Sequence, residues 1–108
     1  MGISVFLDDY RTCPNDFVLM DNIDDCLTIL KHYDVDKLSL DHDLVSKTRN
    51  GLMLVKKMVQ LQLFAKHITI HSANSVGGKA MYDYFKEAQR NCLMPKTITV
   101  LLKPMPLY

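Results

Sequence analysis

The sequence predicts an α/β domain built on one parallel sheet, doubly wound, with five strands in the order 2-1-3-4-5. Three observations point there. Strand-like runs alternate with helix-like stretches along the chain. The runs at 37–41 and 97–102 have the composition of buried strands rather than of solvated hairpins. Parallel strands joined by helices require right-handed crossovers, which leads us to expect helices on both faces of the sheet. Finally, polar and ionisable residues follow nearly every strand. Such sheets bind ligands beyond the carboxyl ends of their strands, near the switch point between the first and third.

Ile3 to Leu7 reads as a short buried strand that breaks at Asp8-Asp9, with Pro14 and Asn15 marking a loop. Phe17 to Met20 is a second, weaker apolar run. Asn22 followed by Asp24 and Asp25 has the form of an N-cap and an acidic first turn. Ile23, Cys26, Leu27, Leu30 and Tyr33 recur at helical spacing, so residues 22–33 form an amphipathic helix. Lys37 to Asp41 is the third strand, with Leu38 and Leu40 on one face and Ser39 and Asp41 on the other. A polar loop over 45–50 leads to a helix over 51–63, rich in Leu, Met and Val. His67 to His71 is the fourth strand. Ser72 to Ser75 is a turn and cap, and Met81, Phe85, Ala88 and Cys92 form the stripe of a third helix, stopped by Pro95. Thr97 to Leu102 is the last strand, expected to be buried on both sides. The arrangement is flavodoxin-like, with little room for a helix in the first crossover and none after Lys103.

The 108 residues correspond to one domain, 1–108, and a formal charge of +1 gives no bulk attraction to nucleic acid or membrane. No apolar run approaches the ~20 residues of a membrane span. Broad nucleic-acid binding is not expected, because no basic stripe is interleaved with aromatics. Cys13, Cys26 and Cys92 form no CxxC pair and are read as free thiols, which with the missing signal-peptide pattern implies a cytoplasmic setting. Tyr10, Tyr82 and Tyr84 are read as packing residues.

The functional signal is convergence. Asp8, Asp9 and Arg11 follow the first strand, Asp41, His42 and Asp43 the third, His71, Ser72 and Asn74 the fourth, and Lys103 the fifth. Taken singly, each has an ordinary explanation: a solvated turn, a loop cap, a buried hydrogen-bonded histidine or a surface lysine. Four strands delivering such groups to one edge is harder to explain without a site.

These residues resemble a receiver domain, the phosphoacceptor fold of response regulators. Asp8-Asp9 matches its acidic pair, Asp41 its phosphoacceptor, Ser72-Ala73 its Ser/Thr-Ala, and Lys103-Pro104 its Lys-Pro, where a cis peptide is implied. Histidines at 42 and 71 depart from ordinary receivers. A closer similarity is to the cyclic-phosphate-processing receiver-like family of bacteria and phages, whose pattern runs LDDxRxxP, SLDHDL, TG and HSxNPVG and ends near a Met that here is Met81. The matching phrases are Leu7 to Pro14, Ser39 to Leu44, Asn50-Gly51 and His71 to Gly77. Asn50 stands for the family's Thr, and Ser75 for its Pro.

That resemblance implies a phosphoesterase that opens a cyclic phosphate on a nucleotide or RNA end, in a bacterial cell or a phage-infected host. His42 and His71 would share acid and base roles with Asp41 beside them. Arg11, Ser72, Asn74, Gly77 and Lys103 would bind phosphate, the glycine through helix N-terminal amides exposed around Val76, Gly77 and Gly78. Asp8, Asp9, Asp41 and Asp43 would repel that phosphate, by roughly 4 kcal/mol for each unpaired charge at ~4 Å. Mg2+ or Mn2+ on Asp8, Asp9 and Asp41 would neutralise them, with Asp43 orienting a histidine. Arg11 and Lys103 are the internal alternative to a metal. Two other functions compete: a stand-alone receiver phosphorylated on Asp41, and a small interaction protein that sequesters a cyclic nucleotide.

Overall fold

A computed structural model describes residues 2–44 and 50–103. Most of the polar loop expected before Gly51, and the Lys103-Pro104 peptide expected to be cis, lie outside these residues. The elements are β1 (Ile3–Leu7), β2 (Val18–Met20), α1 (Ile23–His32), β3 (Val35–Leu40), α2 (Gly51–Leu61), β4 (His67–Ile70), α3 (Ser75–Arg90) and β5 (Thr99–Leu102). The five strands form one parallel sheet in the order β2-β1-β3-β4-β5. The receiver-like α/β fold is therefore as expected, and the β1–β2 crossover contains no helix.

Local chemistry sets the helix boundaries. Asn22 caps α1 by accepting from the Asp25 N–H at 2.8 Å, with Asp24 and Asp25 in the first turn and Lys31 and His32 in the last. Asn50 caps α2 by accepting from the Met53 N–H at 3.2 Å, and the helix stops where Gln62 turns left-handed at φ 58°. Asn74 caps α3 by accepting from the Gly77 N–H at 2.8 Å.

The register divides the sheet into two unlike faces. Val5, Leu38, Ile68 and Val100 are neighbours across it, as are Leu7, Leu40, Ile70 and Leu102. These residues, all but Leu102, belong to a core that also takes Ile23, Cys26 and Leu30 of α1, Leu54, Val55 and Met58 of α2, and Met81, Phe85 and Ala88 of α3. The crossovers from β2 to β3, β3 to β4 and β4 to β5 all run the same way across the sheet. Right-handed connection then places all three helices on one face. The opposite crossover, β1 to β2, is a loop.

The expectation of helices on both faces is thus corrected among the described residues. The second face carries Ser4, Lys37, His67 and Thr99 in one row and Phe6, Ser39, Thr69 and Leu101 in the next. Lys37, His67, Thr99 and Leu101 are exposed. Phe6 is buried because Phe17, from the helix-free crossover, meets it edge-on at 6.3 Å. The last strand is likewise not buried on both sides: Val100 is buried, while Thr99, Leu101 and Leu102 are exposed on an edge strand with one neighbour. Cys26 is a buried thiol, its pKa pushed up to about 12 by burial, and all three cysteines are free.

Because one face carries the core, substitutions should divide by face. Phe85→Ala, on the covered side, should cost about 3–5 kcal/mol in chemical denaturation. Leu101→Thr, on the open side, should stay within about 0.5 kcal/mol of the parent. Equal losses from the two would contradict the one-sided core.

Candidate functional site

The site is built one residue past the strands. The Asp8 N–H bonds the Met20 carbonyl at 3.0 Å, Asp41 the Leu7 carbonyl at 3.1 Å, His71 the Leu40 carbonyl at 2.9 Å and Lys103 the Ile70 carbonyl at 2.9 Å. Each is the last rung of the ladder, so four strands hold these residues in one row. Side chains alternate across a sheet, which turns Asp8, Asp41 and His71 away from the Leu7-Leu40-Ile70 row. They gather instead beside Phe6 and Ser39, under the helix-free crossover that brings in Arg11.

In this inner cluster the Asp8 carboxylate accepts four hydrogen bonds. Its Oδ1 takes the N–H groups of Tyr10 (2.8 Å) and Arg11 (3.0 Å), and its Oδ2 takes Arg11 Nη1 (3.0 Å) and His71 Nε2 (2.9 Å). Arg11 Nη1 also reaches Asp41 Oδ2 at 3.2 Å. The His71 ring is fully buried, stacks on Phe6 with centroids 4.5 Å apart, and pairs through Nδ1 with Ser39 Oγ at 2.7 Å. A carboxylate can only accept, so Nε2 of His71 carries the proton and the Ser39 hydroxyl donates to Nδ1.

Electrostatics follow from burial and these bonds. Burial pushes the Asp8 carboxyl up, but the N–H groups of Arg11 and Tyr10, the guanidinium and His71 together hold it below its ordinary 3.8. Asp41 is pushed above 3.8, first by burial and then by the Asp8 charge, against Arg11, His71 and a hydrogen bond from Ser72. Burial holds His71 below 6.5 despite the Asp8 carboxylate, so the ring is neutral near pH 7.

An outer cluster lies on the helical side. His42 Nδ1 pairs with Asp43 Oδ1 at 2.7 Å, and the same oxygen accepts from Asn74 Nδ2 at 3.0 Å. The His42 hydrogen bond, working against burial, holds the Asp43 carboxyl below 3.8. The imidazole lies flat against α3. A Cβ built at Gly77 would sit 2.4 Å from His42 Cγ, and one at Gly51 would sit 2.2 Å from the Asp41 carbonyl oxygen and 2.9 Å from His42 Cα. Only glycine lets both helices close on this strand end.

The sequence candidates are therefore sorted into two groups. Asp8, Arg11, Asp41, His71 and Ser72 come together in the inner cluster, and His42, Asp43, Asn74 and Gly77 in the outer. The two histidines share no partner: His71 bonds Asp8 and Ser39, while His42 bonds Asp43 and packs against Gly77. Asp9 is half-buried and outside the close acidic group, because its neighbour in the chain turns inward. Lys103 is exposed at the edge. The amides expected to receive an anion are partly committed: the Gly77 N–H bonds Asn74 Oδ1, and the Gly78 N–H bonds the Asn74 carbonyl at 2.8 Å. Tyr10, read as a packing residue, is 74% exposed, since its backbone rather than its ring anchors to Asp8. Ser39 and Phe6, not among the sequence candidates, complete the inner cluster through their contacts with the His71 ring, and the signal for them is their position on the strand face that Asp41 shares. Lys79 pairs with Asp83 at 2.7 Å on the surface.

Asp8, Asp41 and His71 each offer a ligand atom within 4.8 Å of the others, so this buried group could hold a metal ion. Arg11 Nη1 lies between its two carboxylates.

A five-stranded parallel sheet with an acidic pair, a strand-end aspartate, a serine and a lysine at its carboxyl edge is a receiver-like domain. A family model described as the cyclic-phosphate processing receiver domain matches residues 3–87, and the chain belongs to that family. No curated protein and no solved structure matches the chain. No helix among the described residues is long and apolar enough to cross a membrane.

The buried neutral histidine has a pH consequence. Its folded pKa lies below the unfolded 6.5, so as pH falls through about 6.5 the unfolded chain gains a proton that the folded one does not. Stability should therefore drop between about pH 7.5 and 5.5. Asp8, with its lowered pKa, adds stability that is lost only below about 3.8, and Asp41 acts in the opposite sense there. Denaturation curves across this range should show the step near 6.5 in the parent and its loss in His71→Gln. An unchanged step in that variant would assign it elsewhere.

Proposed function

We propose that the protein hydrolyses a cyclic phosphodiester on a nucleotide or RNA end, with His42 as the group that moves the proton. The observation carrying this is the Asp43–His42 pair pressed against Gly77. Asp43 accepts from Nδ1, which leaves the lone pair of the neutral ring on Nε2. This is the orientation a general base requires, with a carboxylate behind it to stabilise the imidazolium that forms. Asn74 ties the pair to the helix by donating to Asp43 while its Oδ1 caps α3.

In the step, a water oxygen bonds to phosphorus as its proton passes to Nε2 of His42. The phosphorus–oxygen bond of the ring breaks, and the departing alkoxide recovers that proton. The product is a monoester. The phosphate would lie over the edge between the α3 N-terminus and Lys103, where the helix dipole and the ammonium both favour an anion. His71, with both ring nitrogens engaged internally, serves to hold Asp8 rather than to exchange protons with substrate. Asp8, Asp41 and His71 are the ligands that a divalent ion such as Mg2+ or Mn2+ would need, but Arg11 Nη1 already lies between the two carboxylates, and the step above uses no metal. Phosphorylation of Asp41 has less support, because that side chain is buried and tied to Arg11 and Ser72.

Turnover of 2′,3′-cyclic and 3′,5′-cyclic nucleotides by purified protein tests this. His42→Ala should lower kcat by about 10²–10⁴-fold, the usual worth of general acid–base catalysis, with KM little changed. Parent and variant turning over the whole panel at the same background rate would sink the proposal.

A further inference from the structure

We infer that the guanidinium of Arg11 is the resident cation of the receiver-like acidic pocket, standing where a divalent ion would bind and making such an ion dispensable. This goes beyond the hydrolytic reading and rests only on the inner cluster.

Four observations converge. Nη1 of Arg11 bridges Oδ2 of Asp8 at 3.0 Å and Oδ2 of Asp41 at 3.2 Å, the two carboxylates any metal in this cluster would need. The Asp8 carboxylate already accepts four hydrogen bonds, which matches the roughly four lone-pair sites a carboxylate has. An ion could reach Oδ2 only by displacing Arg11 or His71. Next, His71 presents Nε2–H to Asp8; to ligate an ion through that nitrogen it must first move its proton to Nδ1 and reverse the Ser39 hydrogen bond. Lastly, Arg11 is bound at both ends. Its backbone N–H holds Asp8 Oδ1 and its side chain holds Oδ2, with the residue only 7% exposed. Being part of the chain, the guanidinium competes with a free ion at a high local concentration, and it keeps its charge in a protein interior.

The sequence supplies the means. Residues 8–17 form a crossover with no helix, so position 11 turns back over the strand end instead of leading away from it. The buried polar groups are satisfied within the chain: among the described residues no buried side-chain nitrogen or oxygen lacks a hydrogen-bond partner.

Mn2+ provides the probe, through its electron paramagnetic resonance signal, its broadening of backbone NMR resonances, and thermal unfolding. The parent should show no saturable Mn2+ binding and a midpoint that does not move with Mn2+ or Mg2+, since a ligand stabilises only as ln(1 + [L]/Kd). Arg11→Gln and Arg11→Ala should start from a lower midpoint that both ions raise. They should bind Mn2+ more tightly than the parent by roughly thirtyfold or more, the least that loss of a unit charge ~4 Å from a divalent ion yields at the dielectric of water. Arg11→Lys should behave more like the parent. If a variant fails to fold without added ion, recovery of its NMR spectrum on adding Mg2+ supports the inference. Saturable binding by the parent that broadens Asp8 and Asp41 overturns it. So does an Arg11→Gln protein whose fold and Mn2+ affinity do not respond to the substitution. None of these measurements depends on turnover, so loss of the phosphoesterase proposal leaves them unaffected.

Discussion

The structure depends on one carboxylate being fully hydrogen-bonded. Asp8 sits at the end of a central strand with almost no solvent exposure, where an anion without partners would be costly. Two backbone amides, a guanidinium and an imidazole satisfy it, and each of those donors is thereby fixed. Arg11 is held down over the edge, His71 is locked as one tautomer between Asp8 and Ser39, and Asp41 shares the same cation. The polar centre is fixed by strand register at one side and by a short crossover at the other.

This arrangement separates two tasks that the bare sequence places side by side. Asp41 and His42 are neighbours in the chain, yet Asp41 belongs to the buried, hydrogen-bonded interior and His42 to the partly covered rim. The rim is organised by helix termini. Asn74 caps α3 and grips Asp43, while Gly77 and Gly51 give the His42 backbone and ring the space they occupy. A fully hydrogen-bonded centre and a rim histidine held through Nδ1 by Asp43 suit the proposed reading, in which only the rim meets the ligand.

The one-sided helical layer matters to the same end. With a helix in the first crossover, Arg11 would lie in or near that helix and its reach would follow a helical path. With a loop there, Phe17 covers Phe6, Phe6 supports the His71 ring, and Arg11 reaches the acidic residues. The open lower half of that face is consequently polar, with Lys37, His67 and Thr99 toward solvent.

Much of this was legible in the chain. Apolar runs and their spacing place every strand and helix, Asn22 and the turn before Ser75 mark the caps, and the strand order is that of the flavodoxin-like fold which five such strands suit. The set of residues at the carboxyl edge was also readable, because a residue one step past a parallel strand must lie at that edge. What could not be read was which neighbour each polar group chooses. Whether Asp8 or Asp9 turns inward, whether Asn74 binds a phosphate or a carboxylate, and whether two histidines meet depend on side-chain alternation and on cross-strand register. Those quantities join residues as much as 63 positions apart, as Asp8 and His71 are. Local pattern thus determined the sheet and the membership of its edge. Tertiary packing alone decided how the edge divides into a buried ionic centre and a histidine rim packed against α3, since burial forces each charge to find its partner and only the folded chain determines which partners are near.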